Sequence, residues 1–169
     1  SELCQIYVPY RCLKIYGEKW FEKPVVSYDL VATYDLDTYI LAINDDGYTL
    51  TDFYTMDGRP HVLIPNVISV PDVGEVSIYS IRSGAFSSVY TVLRDLTLPS
   101  TVSYLSSDAF SECTSLENFF VDEGNAHFTS IEGVLYSKDQ RILLKYPVNR
   151  NATFDMADPA YSTTACIAS

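Results

Sequence analysis

Positive charge is scarce in this sequence. Its 11 Lys and Arg stand against 22 Asp and Glu, a formal net charge of −11 at pH 7. A polyanion is repelled by such a surface, so no nucleic acid is expected as a partner. An anionic membrane surface is disfavoured for the same reason. Long apolar runs are also missing. None approaches the roughly 20 residues that cross a bilayer as a helix, so no membrane insertion is expected. No secretory leader is visible and the first residue is Ser1 rather than Met, so we read a processed or trimmed chain.

Catalytic and metal-binding signatures are thin as well. There are only 2 His, His61 and His127, and the 4 cysteines (Cys4, Cys12, Cys113 and Cys166) form no CxxC pair, which argues against a tetrahedral zinc site. The even cysteine count allows disulfides, but the spacing fixes no pairing among Cys4, Cys12 and Cys166. No GxSxG, HExxH, GxGxxG or phosphate-binding glycine loop occurs. Asp45, Asp46 and Asp52 do not follow the D-x-D-x-D-G spacing of a calcium loop, and we read them as a solvated turn. Asp35 and Asp37 fall on one side of a strand and read as a polar strand face. Asn151-Ala152-Thr153 fits a glycosylation sequon, which matters only in a eukaryotic secretory pathway. We expect no catalytic residues, no metal and no cofactor.

What is abundant is aromatic and β-branched. The chain has 14 Tyr and 8 Phe but 2 Met, a composition that favours strands over long helices. With 169 residues, 47% hydrophobic and 20% charged, it suits one globular domain with a sizeable core.

The strongest signal is a repeated phrase. Leu93, Leu96 and Leu98 precede Pro99 as L-x-x-L-x-L-P. Leu3, Ile6 and Val8 precede Pro9 in the same spacing, and Val62 and Ile64 precede Pro65. Leu116, Phe119 and Val121 repeat it with Asp122 in place of Pro, and Phe154 and Met156 give a faint fifth copy. The pattern predicts short strands of period 2, with Leu96 and Leu98 pointing one way and Thr97 the other. A proline then ends ladder pairing. A second anchor follows each strand: Ser83-Gly84-Ala85-Phe86 matches Ser107-Asp108-Ala109-Phe110, predicting buried Phe86 and Phe110 stacked on one another. From Pro99 to Phe110 is 11 positions and from Pro65 to Phe86 is 21, so the first copy carries a ten-residue insertion.

The phrase LPSTVSYLSSDAFSECTSLENFFV resembles the BspA-like leucine-rich repeats, through Leu98, Pro99, Val102, Leu105, Ala109, Phe110, Cys113 and Leu116. The segment from Gly124 to Pro147 is similar to a longer unit of that family, in which an Asn-containing turn leads to a G-V-L-Y hairpin. The resemblance covers roughly residues 59–147. LCQIYVPYRCLKIYGEKWFEK is similar to a closing unit, in which a short helix would carry Leu13, Tyr16 and Trp20 on one face. The resemblance places Cys113 at a core position, so we assign it as a buried thiol rather than as a nucleophile paired with His127.

The expected fold is an α/β repeat: a short leucine-rich-repeat solenoid, β-rich with short helical turns, plus an antiparallel β-hairpin cap. Residues 1–26 are a repeat-end strand with a capping helix. Residues 27–58 alternate apolar and polar around an Asp46-Gly47 turn and form the antiparallel cap. Residues 59–169 carry the repeats. Within them, 133–147 is expected to form a hairpin, with Ile142, Leu144 and Tyr146 sharing one face. The outward positions of the repeat strands are Tyr7, Leu63, Thr97, Phe120 and Asp155. Three of these five are large and apolar, and exposed apolar residues mark interaction sites. Tyr7, Leu63, Thr97 and Phe120 are therefore the candidate ligand-binding residues. The family resemblance implies a non-catalytic, secreted or cell-surface adhesion module whose partner is an extracellular or host protein. A structural segment of a larger surface protein and a carbohydrate-binding module with Tyr stacking platforms are the alternatives.

Overall fold

The computed structural model describes residues 6–8, 19–20, 23–27, 30–34, 39–44, 47–55, 58, 60–70, 72–150 and 166–167, with side chains for those between 41 and 150. Strands dominate, and no helix occurs among the described residues. Three copies of the repeat phrase form the strands β7 (His61–Leu63), β11 (Asp95–Leu98) and β13 (Asn118–Val121), joined in parallel in the order β13-β11-β7. Leu96 pairs with both Val62 and Phe119, so the spacing that defines the phrase is also the ladder register. Alternation follows the pleat: Val62, Ile64, Leu96, Leu98 and Phe119 are buried, while Leu63 and Phe120 are exposed. Pro65 and Pro99 are buried just past the strands they end.

Between successive copies the chain visits a second sheet, in the order β12-β10-β6-β5-β4. Its members are β4 (Leu30–Tyr34), β5 (Tyr39–Ile43), β6 (Thr49–Thr55), β10 (Ser80–Ile81) and β12 (Tyr104–Leu105). β6 is where two pairing modes meet. It is antiparallel to β5 on one side, while its first two residues run parallel to β10 on the other. The β5–β6 turn uses Asn44, whose carbonyl accepts the Gly47 N–H at 2.8 Å and whose Oδ1 accepts the Tyr48 and Thr49 N–H groups. Gly47 has φ +75°, which a residue with a Cβ adopts only at a cost.

The returns from the second sheet to the first were expected to be short helical turns. They are instead runs of i to i+3 bonds, such as Ser87 N–H to Gly84 O and Cys113 N–H to Phe110 O, that never close a helical segment. Each run is only a few residues long, too short to offset the cost of nucleating a helix. It is held instead by what it buries: Ala85, Phe86, Val89 and Leu93 in one run, and Ala109, Phe110, Cys113 and Leu116 in the next. Trp20 departs from expectation too. It lies in strand β2 (Lys19–Trp20), paired antiparallel with β3 (Lys23–Ser27), while Leu13 and Tyr16 lie outside the described residues. The insertion in the first copy is an antiparallel hairpin of β8 (Ile68–Val70) and β9 (Gly74–Val76).

One continuous core runs from Leu41 to Leu135. After β13 the chain forms an antiparallel ladder of β14 (Phe128–Ile131), β15 (Val134–Ser137) and β16 (Ile142–Lys145), with β17 (Cys166–Ile167) parallel to β16. The expected hairpin is present, but Ile142, Leu144 and Tyr146 do not share a face. Leu144 packs on the main core, whereas Tyr146 packs on a smaller cluster of Val134, Tyr136 and Leu143. A register shift between Leu135 and Tyr136 breaks the alternation there. Asp52, expected in a solvated turn, is a buried residue of β6 that accepts a hydrogen bond from Ser88 Oγ at 3.2 Å. Cys4, Cys12, Asp35, Asp37, Asp45, Asp46, the 151–153 sequon and the faint copy at 154–156 lie outside the described residues.

Candidate interaction face

Parallel pairing in register puts equivalent residues of neighbouring repeats side by side, about 4.8 Å apart. Thr97 is opposite both Leu63 and Phe120, so the three form one row across β7, β11 and β13. Leu63 is 50% exposed and Phe120 48%, with the smaller, half-buried Thr97 between them. Two large apolar side chains thus flank a low point on an otherwise ordinary strand face.

Two residues earlier on each strand, on the same face, lies a second row that sequence reasoning missed. His61 Nδ1 meets the Asp95 carboxylate, and Asn118 Nδ2 donates to Asp95 Oδ1 at 2.8 Å. Arg150 then donates to Asn118 Oδ1 at 3.0 Å and its other terminal nitrogen lies 4.0 Å from Glu132 Oε2. His61 is therefore paired with Asp95. The only signal that could have found this row is position: each member precedes an outward residue by two in a strand of period 2. The polar row locks the three strands laterally beside the apolar row.

Tyr7 is not brought into the row. Its strand, β1 (Ile6–Val8), is parallel to β3 in a separate three-stranded sheet, with Tyr7 opposite Val26. Asp155 lies outside the described residues. A second aromatic patch lies at the entrances to β6, β10 and β12, where Tyr48, Tyr79 and Tyr104 are all exposed. The rings of Tyr48 and Tyr79 are 5.6 Å apart and inclined by 46°.

Cys113 is a free, buried thiol, and burial pushes it up to about 11, which leaves no thiolate at neutral pH. His127 is exposed and its ring faces Phe128 at 6.3 Å. Asp108 joins two repeats by accepting from Ser106 Oγ and Ser83 Oγ, each at 2.6 Å; these bonds, Ser106 first, hold its carboxyl below the usual carboxylate value.

No family model matches the chain, and no curated protein matches it. Among solved structures it is similar to the pneumococcal vaccine antigen PcpA, at 29% identity and TM-score 0.42 over 54% of this chain. It is also similar to a leucine-rich cell surface protein from Faecalibacterium prausnitzii, at 26% identity and TM-score 0.43 over 56% of this chain. A leucine-rich repeat protein from Eubacterium ventriosum matches 74% of this chain at 15% identity and TM-score 0.36. The chain spans 26%, 24% and 52% of the lengths of these three proteins, respectively.

Proposed function

We propose that the chain is a secreted or cell-surface protein-interaction module of adhesion type, built as a BspA-like leucine-rich-repeat solenoid. In this reading residues 59–169 carry the repeats, 27–58 cap the array through the antiparallel strands beside β10, and 1–26 supply a repeat-end strand. The observation that carries the proposal is the row Leu63–Thr97–Phe120. Burying Leu63 and Phe120 against a partner would each contribute about 1–2 kcal/mol, since both are already half covered. The polar row beside them would keep the face rigid, so little entropy would be lost on binding. A row without walls suits an extended or convex extracellular or host protein better than a small molecule, which needs a concave site.

The test compares capture of extracellular proteins by the wild type, Phe120→Ser and Leu63→Ser. Phe120→Ser is expected to weaken binding of a captured partner by more than about 1 kcal/mol with the melting curve nearly unchanged. Unchanged binding in both variants would sink the face and favour a structural segment of a larger surface protein. A carbohydrate-binding reading has one observation in its favour, the exposed Tyr48, Tyr79 and Tyr104 patch. Glycan binding lost in Tyr79→Ala and retained in Phe120→Ser would support it.

A further inference from the structure

A groove of about 390 Å³ opens between β12 and the β14–β16 ladder, away from the strand row. Its walls are apolar where Phe110, Phe128, Leu135 and Leu144 line it. The chain has 22 Asp and Glu, yet none lines the groove, and the one charged lining residue is Lys145.

Lys145 is there because of the irregularity in the ladder. Strict alternation would put Leu144 and Lys145 on opposite faces. The register shift pairs Leu135 with Lys145 and Tyr136 with Leu143, so Leu144 and Lys145 both line the groove. Bulges commonly re-aim a side chain in this way. Among the described residues the Lys145 ammonium makes no hydrogen bond or ion pair, although it lies near enough to Cys113 to favour that thiol's ionised form. Two of the groove's serines are committed elsewhere: Ser103 Oγ donates to Tyr79 O at 3.3 Å and Ser106 Oγ to Asp108 at 2.6 Å. The hydroxyls of Ser107 and Tyr104 make no such bond among the described residues.

We propose that this groove binds a small apolar carboxylic acid. A single ring or short aliphatic body lies against the partly exposed Leu105 and Leu144, over a floor of buried Phe110, Phe128 and Leu135, and the carboxylate takes a charge-assisted bond from Lys145, with Ser107 and Tyr104 as further donors. The volume is at the small end of the range for small-molecule sites and suits a ligand of about one ring. An anion is favoured over a cation because the one charged side chain among the lining residues is the Lys145 ammonium.

The experiment titrates 3-phenylpropionate and 3-phenylpropan-1-ol into the full chain, followed by NMR shifts of Phe128 and Leu135. The acid should bind saturably and the alcohol about tenfold more weakly, the margin of one charge-assisted bond. Lys145→Met, which keeps the apolar stem, should weaken the acid about tenfold and leave the alcohol unchanged, while Lys145→Arg should retain acid binding. The proposal is overturned if the acid gives no saturable shifts, if acid and alcohol bind alike, if Lys145→Met binds the acid as the wild type does, or if the shifts map to Leu63 and Phe120 instead.

Discussion

The rings of Phe86 and Phe110 lie 5.4 Å apart with their planes inclined by only 26°. They occupy equivalent positions in consecutive repeats, and the stack continues beyond them. Phe53 lies 5.8 Å from Phe86 on one side, and Phe119 lies 5.1 Å from Phe110, edge-on, at the other. Four rings thus link β6, the two turn runs and β13 through the core.

Truncating a ring in the middle of that stack removes contacts to two neighbours at once. Phe110→Ala is expected to cost about 3–5 kcal/mol in urea melts. A loss below about 1 kcal/mol would mean that the repeats are not coupled through this position.

Asn125 is buried with its side chain fully used. Its Nδ2 donates to Pro99 O at 2.8 Å and Val102 O at 2.9 Å, while its Oδ1 accepts the N–H groups of His127 and Phe128 at 2.8 Å each. Asn125→Asp keeps the shape but turns both donors into acceptors and buries a charge. A destabilisation of about 3 kcal/mol or more is expected. Chemical denaturation checks it, and a change under about 1 kcal/mol would contradict the network.

The Cys113 thiol is raised from 9.0 to about 11, by burial first. A raised pKa means the folded state holds its proton longer than the unfolded state. The stability this contributes is complete below pH 9.0 and is lost as pH rises towards about 11. Cys113→Ala should therefore lose less Tm than the wild type over that window. Parallel Tm-versus-pH curves for the two proteins would refute the assignment, as would rapid alkylation of native Cys113 at neutral pH.

Gly133 has φ +80°, and a Cβ there would collide with Asn118 Oδ1 and lie 2.6 Å from an Arg150 terminal nitrogen. Gly133→Ala should thus be strained in its backbone and break the Asn118–Arg150 bond, for a loss of about 2 kcal/mol or more. Gly133→Ala combined with Arg150→Ala should recover only part of this in melts, because the backbone strain and the Asn118 Oδ1 clash both stay. Full recovery would show that the Arg150 contact alone matters.

The alternation of Leu96, Thr97 and Leu98, the placement of Phe86 and Phe110, the antiparallel β5–β6 ladder and the 133–147 hairpin were all legible in the sequence. Each depends on local periodicity or on a spacing that recurs, and the pleat imposes it whatever the strand's neighbour is. Choice of neighbour is another matter. Ile6–Val8 carries the same phrase as β7, yet it pairs with β3, because strand pairing is decided by the competition among distant segments for one edge. The polar row from His61 through Asp95 and Asn118 to Arg150 assembles residues from four separate segments, and nothing local announces it. The Leu144–Lys145 bulge was equally silent. A one-residue shift in pairing reverses which face a side chain meets, so a sequence read in strict alternation assigns those two residues to opposite sides. Only the packed ladder, fitting Leu135 against the core and Tyr136 against Leu143, determines where the shift falls and therefore which way Lys145 points.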